Sequence, residues 1–430
     1  MKTRTLTILL LAALALLLAA CQTKEEQPAE TVFESLLKLT AGDAQDYDSF
    51  GLAIALDGDL ALVGAPGVDG SGENQGAAYL FLRSQGGADA WGQVKKLVPD
   101  DAADGDVFGI SVALSGDYAI VGAGGADGGG VDEGAAYVFY RDQGGADNWG
   151  QVKKIAAADA ADGDGFGYAV AIDGTTVIVG SDGADGAGTN RGAAYIFYRD
   201  QGGADNWGQV ARLVSEDPAD DNQFGFAVDV AGGLAVVGSP GEAGAGFECG
   251  AVYIFSRDMS GVDAWGLVKA FSPDDTPDQT WLGTAVATDG TLALVGSAWD
   301  DGEGTDRGAV FVLGPDNGGT WREIKKLVAS DAANNDLFGY VVALDGDYVA
   351  VGAGWAKGGG TERGQAYLFA RNEGGTDNWG EVQRLRASDG QNKDWFGTAI
   401  VLDGSTLIVG ATGEDGAGTD QGAAYVFKKI

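Results

Sequence analysis

Short apolar runs alternate with turn residues along most of the chain, and the alternation keeps a fixed period. An aromatic or leucine followed by glycine recurs at Phe50-Gly51, Phe108-Gly109, Phe166-Gly167, Phe224-Gly225, Leu282-Gly283, Phe338-Gly339 and Phe396-Gly397, spaced by 58 residues and once by 56. A period of this length marks a repeat architecture, which governs every local element. Each unit predicts four strands. The first follows the Phe-Gly pair, as in Ile110-Ser111-Val112-Ala113-Leu114, and ends in a two-residue turn such as Asp57-Gly58 or Asp345-Gly346, suited to a tight hairpin. The second is a continuous apolar run ending in Val-Gly, from Val63 in the first unit to Val409 in the last, as expected of a strand covered on both faces. The third opens with a glycine in every unit, from Gly76 to Gly422, and carries an aromatic three residues later. The fourth follows a tryptophan, as in Trp149-Gly150-Gln151-Val152-Lys153-Lys154-Ile155, and its lysines mark an outer edge strand guarded against pairing with other chains.

Seven such units predict an all-β fold over residues 32–430: a seven-bladed β-propeller with four antiparallel strands per blade, the first lining a central channel. The last unit stops after its third strand, at Val426-Phe427-Lys428-Lys429-Ile430, whereas Phe33-Glu34-Ser35-Leu36-Leu37-Lys38-Leu39 matches a fourth strand with Phe33 at the tryptophan position. The N-terminal strand is therefore expected to complete blade seven and close the ring.

The Phe-Gly pairs, Gly64-Ala65-Pro66 and the Gly-Ala-Ala-Tyr third strands resemble the FG-GAP repeats of integrin α-subunit propellers, and resemble still more the repeats of bacterial FG-GAP proteins. The resemblance implies a seven-bladed propeller with a role in adhesion or ligand binding, though a fold alone does not choose among functions. Integrin-type repeats often expand the first hairpin into an Asp-rich calcium loop. The hairpins here are two-residue connections, too short to wrap a cation that takes about six to eight oxygens, so that site is not carried over.

Ahead of the repeats, Lys2 and Arg4 precede an uncharged apolar run from Ile8 to Ala20, the layout of an export signal. The run ends in Leu18-Ala19-Ala20-Cys21, which resembles the lipobox of bacterial lipoproteins. That resemblance implies cleavage before Cys21, acylation of its thiol and a lipid anchor, with residues 22–31 as a polar, disordered tether. Gln22, rather than Asp, after the cysteine implies the outer membrane in a cell with two membranes. The formal net charge of −36 repels nucleic acid and anionic lipid and favours cations or basic partners. No nucleic-acid partner is expected, the anchor is the expected membrane contact, and the protein is expected to be a monomer.

Histidine is absent, which excludes Ser-His-Asp and Cys-His nucleophiles and histidine-held zinc within the chain. Cys249, the one cysteine after Cys21, leaves no disulfide framework and reads as a small packing residue. Acids recur in the loop entering each first strand: Asp43, Asp46 and Asp48; Asp101, Asp104 and Asp106; Asp159, Asp162 and Asp164, with counterparts in later units. Three oxygen side chains at that spacing could share a calcium ion, or could cap their own backbone in Asx turns.

Six of the ten tryptophans hold the position before the fourth strand and read as packing residues. The other four break the repeat. Trp299 and Trp355 occupy a site in the loop between second and third strands that is glycine in the other units (Gly67, Gly125, Gly183, Gly241, Gly413). Trp281 and Trp395 directly precede the Leu-Gly and Phe-Gly pairs of blades five and seven. Both loop types are expected on one face, which gathers the four rings with Asp300, Asp301 and Lys357 into a candidate site for a protein or glycan ligand. The expected role is a surface binding module. The alternatives are a carbohydrate-active enzyme using paired carboxylates and a purely structural envelope protein. The acids recur in every blade, which suits structure better than one active centre.

Overall fold

The structure, a computed structural model, describes residues 32–430 apart from 71, 129, 186–187, 244–247, 260 and 274–278. The expected export signal, Cys21 and the expected tether lie outside the described residues.

The strands form four-stranded antiparallel sheets, seven in all among the described residues, and each sheet is one blade. Blade one runs through Ile54–Asp57, Leu60–Ala65, Ala77–Leu82 and Gly92–Leu97, and the following blades repeat this plan. Blade seven combines Phe396–Asp403, Thr406–Ala411 and Ala423–Lys429 with the N-terminal strand Phe33–Leu39. In that closing pair Phe33 stands opposite Lys429 and Leu39 opposite Ala424. The Gln383 side chain of blade six further ties the Phe33 backbone, accepting from its amide at 2.7 Å and donating to its carbonyl at 2.8 Å. The ring is thus closed by the two ends of the domain pairing in one sheet.

The second and third strands are buried along both faces, as their unbroken apolar runs require. Their side chains form cores between blades. Leu62, Leu80 and Leu97 of blade one pack against Phe108, Val121, Tyr137 and Trp149 of blade two in one cluster. First strands from all seven blades line the central channel, through Ile54, Val112, Val170, Val228, Val286, Val342 and Ile400.

The Phe-Gly pair is the joint between blades. Phe108 is fully buried and meets Tyr137 and Phe139 of its own blade edge-on, at centroid distances of 5.5 and 6.0 Å. Such pairs add about 0.5–1.5 kcal/mol beyond burial. Its amide bonds backward to the Gln75 carbonyl of blade one at 3.1 Å, while the Gly109 amide bonds to Gly122 in its own blade at 2.9 Å. Gly109 lies at φ +96°, and a Cβ there would stand 2.4 Å from the Ala77 carbonyl oxygen. A Cβ on Gly64 of blade one would stand 2.0 Å from the Gly109 carbonyl oxygen. Neither glycine tolerates a side chain, because the two blades touch backbone to backbone.

The two-residue shortening of unit five falls in the hairpin between Ala309–Pro315 and Trp321–Leu327 and leaves the joint unchanged. Leu282 replaces phenylalanine there, bridges Gly250 of blade four and is fully buried.

Candidate functional site

The loop between second and third strands of each blade is bonded to the loop that enters the next blade. The Val107 amide donates to the Asn74 carbonyl at 3.1 Å, Asn335 to Thr305 at 2.9 Å, Lys393 to Thr361 at 3.0 Å and Tyr47 to Thr419 at 2.8 Å. Both loop types therefore build one face of the ring, as expected.

On this face the irregular tryptophans of blades five and six come together through a tyrosine. Trp281 lies 5.0 Å from Trp299, Trp299 lies 6.4 Å from Tyr340, and Tyr340 lies 4.7 Å from Trp355, all centroid to centroid. All four rings are half-buried. The Trp281 indole donates to Glu248 at 3.1 Å, which holds the ring at the blade four to five joint. Trp395 stands at the joint between blades six and seven, donates to Glu362 at 3.3 Å, and packs over Gly413. Its neighbours are thus those of its own joint, and the contiguous run consists of Trp281, Trp299, Tyr340 and Trp355.

The glycines at the sibling positions explain why Trp299 and Trp355 are departures. A Cβ on Gly67 would stand 2.1 Å from the Tyr47 carbonyl oxygen, and one on Gly241 would stand 1.9 Å from that of Asp221. The entering loop presses on this site in those blades and leaves no room for a side chain on the backbone they adopt. Trp281 and Trp395 sit at left-handed φ values of 51° and 53°, a conformation shared at the same repeat position by Ser49 and Val107. Its strain belongs to the repeat rather than to the tryptophans.

Two further aromatics, Tyr168 and Phe226, join this face at the channel mouth, at the repeat position of Tyr340. Tyr168, Phe226 and Tyr340 follow the Phe-Gly pairs of blades three, four and six, where other blades carry Leu52, Ile110, Thr284 and Thr398. Tyr168 and Phe226 line the mouth and pack at 5.4 Å. Burial around the hydroxyl pushes Tyr168 up to about 12, with the Asp182 carboxylate and Tyr340 adding to the shift, so the phenol remains a neutral donor near pH 7. The change from an aliphatic residue or threonine to an aromatic at one repeat position is the sequence signal for these residues.

The expected polar neighbours divide. Asp300 is not a surface acid: it is buried and pairs with Lys326 at 2.7 Å. Asp301 accepts from the Asp306 amide at 3.0 Å, and Lys357 is exposed.

The acids of the entering loops each have a separate partner. The first pairs with a cation of the edge strand: Asp43 with Lys96 at 2.6 Å, Asp101 with Lys154 at 2.7 Å and Asp159 with Arg212 at 3.0 Å. The second reaches back to the preceding blade, where Asp46 accepts from the Thr419 amide, Asp162 from that of Val131 and Asp104 from the Gln75 side chain. The third is buried and caps its own turn: Asp48 accepts from the Gln45 amide at 2.7 Å, Asp106 from Ala103 at 2.8 Å and Asp164 from Ala161 at 2.9 Å. Among the described residues no group of three acid or cysteine side chains is placed to hold a metal ion.

Four strands in each of seven ring-closed blades, joined by Phe-Gly wedges and topped by a loop face, define a β-propeller built from tandem repeats. The FG-GAP repeat family matches the chain seven times, over residues 34–81, 91–139, 149–197, 207–255, 265–313, 321–369 and 379–427, and the chain belongs to that family. Each match begins at a fourth strand and ends in the third strand of the next blade, so the sequence repeat straddles the blade joint. No curated protein matches the chain.

The first and third acids of a loop carry opposite pH signatures. For Asp101, burial works against the charge, but the Lys154 ammonium and the Tyr137 hydroxyl outweigh it and hold the carboxyl below its ordinary range. Its contribution is present above the ordinary carboxylate pKa and is lost as pH falls through the lowered value. For Asp106, burial raises the carboxyl and the Ala103 amide offsets only part of this. Its favourable term is present at low pH and is lost as pH rises through the raised value. Asp106→Asn is therefore expected to melt above the parent at pH 8, with the gap closing toward pH 3. Asp101→Asn is expected to lose under about 1 kcal/mol at pH 8, because the pair is half exposed, and nothing at pH 3. Melting curves across this range check both, and shifts of the same sign would contradict the assignment.

Proposed function

We propose that this is an exported, lipid-anchored binding protein, whose protein or glycan ligand lies on the loop face along Trp281, Trp299, Tyr340 and Trp355. The observation that carries the reading is that these half-exposed rings form one continuous run where the blades depart from their repeat. Sibling blades complete the same fold with glycine at the Trp299 and Trp355 positions, so the scaffold has no need of those rings. Flat aromatic groups, with Glu248 bonded to the Trp281 indole and with Asp301 and Lys357 two residues along the chain from Trp299 and Trp355, supply the combination of apolar anchor and polar groups on which ligands are held. The role is binding without catalysis, since the loop acids repeat their partners from blade to blade and so serve the scaffold.

Oligosaccharides and immobilised surface proteins screened against the parent are expected to yield ligands that lose at least about tenfold in affinity in a Trp299→Gly/Trp355→Gly variant, the loss typical of an aromatic hot spot. The variant's melting temperature is expected to stay close to that of the parent. Undiminished binding, or collapse of the fold, would assign the rings to packing. The anchor rests on the Cys21 context: Cys21→Ser is expected to move the protein from the membrane fraction to the soluble fraction, and an unchanged distribution would overturn it.

A further inference from the structure

On the face opposite the aromatic run, a pocket of about 500 Å³ opens at the joint between blades one and two. Its lining includes Leu60, Leu82 and Val94 of blade one and Arg141, Asp147 and Trp149 of blade two. The volume lies in the usual range for a small-molecule site. The next joint shows one way in which this space is filled. Blade two carries Tyr118 and Tyr140 at the repeat positions of Leu60 and Leu82. Tyr118 packs edge-on against Trp207 at 5.3 Å, lies 5.0 Å from Tyr140, and donates its hydroxyl to Asp205 at 2.8 Å. Arg199 lies over its ring at 5.8 Å. Trp207, Asp205 and Arg199 are the repeat counterparts of Trp149, Asp147 and Arg141.

Blade two thus carries the counterpart of each group that blade three sets around Tyr118, with one oxygen of Asp147 held by Arg141 at 2.5 Å, while blade one offers leucines in place of the phenol. Two other joints are filled by the chain itself. Tyr198 accepts from the Trp265 indole at 3.0 Å under Arg257, and Lys428 reaches Asp89 across the joint between blades seven and one at 2.6 Å. The rim at blades one and two is acidic, with Asp57, Asp59, Asp117 and Asp147 against Arg141. The side chains of Asp59, Asp117 and Asp147 are well exposed, so their field reaches an approaching cation.

We propose that this pocket is a binding site for a small phenol bearing a positive charge. The ring takes the place of the Tyr118 ring against Trp149, the hydroxyl donates to Asp147 as Tyr118 does to Asp205, and the charged tail meets the acidic rim. The site is separate from the aromatic run and does not depend on it.

Tyramine is the probe, titrated by calorimetry beside phenethylamine, which lacks the hydroxyl, and p-cresol, which lacks the charge. Saturable tyramine binding is expected, with both comparators several-fold weaker. Leu60→Tyr fills the pocket with the chain's own phenol and is expected to weaken tyramine by about tenfold or more while the melting temperature holds or rises. Asp147→Asn is expected to bring tyramine down toward phenethylamine, because a hydrogen bond to a charged acceptor is lost. Absence of saturable tyramine binding to the parent, or full binding by Leu60→Tyr, would overturn the proposal. Should Leu60→Tyr fail to fold, undiminished tyramine binding by Asp147→Asn would overturn it.

Discussion

Blades of this ring approach one another closely enough that peptide backbones, rather than side chains, make the contact at each Phe-Gly pair. The amide of Phe108 extends the third strand of the blade behind it, and Gly109 slides between that strand and its own second strand. With no Cβ on Gly64 or Gly109, the following phenylalanine-tyrosine cluster can reach full burial. The interblade cores, the seating of the edge strands and the position of every loop on the upper face follow from this approach. Ring closure uses the same contact, since Phe50 bridges Gly422 across the joint that the N-terminal strand helps to build.

A scaffold repeated so strictly makes its exceptions informative. The fourth-strand tryptophans, the edge lysines and the loop acids have the same partners in one blade after another, and their job is to hold a blade to its neighbour. The aromatic run over blades five and six arises where glycine or another non-aromatic residue gives way to a ring. On the opposite face the residues at two repeat positions vary from blade to blade, and Leu60 with Leu82 leaves space at the joint where Tyr118 with Tyr140 fills it. One departure adds surface above the ring, and the other leaves a pocket below it.

The fold was legible in the sequence because period, strand order and the offset of the chain ends are one-dimensional features. Trp299 and Trp355 were legible too, since a tryptophan in a glycine position stands out along the chain. Tyr340 was marked only by a ring at a position that is aliphatic or threonine in four blades, and its role between Trp299 and Trp355 depends on adjacency across blades. Asp300 read as a surface acid in a polar loop, yet it turns inward to Lys326, a residue of the edge strand of the same blade. The spacing of the loop acids left calcium sharing and turn capping both open, and the third acid of the loop does cap its own turn. Asp43, Asp46 and Asp48 sit close in sequence but answer to Lys96, Thr419 and Gln45, partners on two different blades.

The backbone contact at the joint is tested most directly by comparing two alanine substitutions in urea unfolding. Gly109 and Gly116 both lie at positive φ in blade two, but a Cβ on Gly109 would meet the Ala77 carbonyl, whereas one on Gly116 has nothing within 4 Å. Gly109→Ala is expected to lose about 3 kcal/mol or more, strain and overpacking together. Gly116→Ala is expected to lose about 1–2 kcal/mol from backbone conformation alone. Equal losses would mean that the blades are not held by this contact.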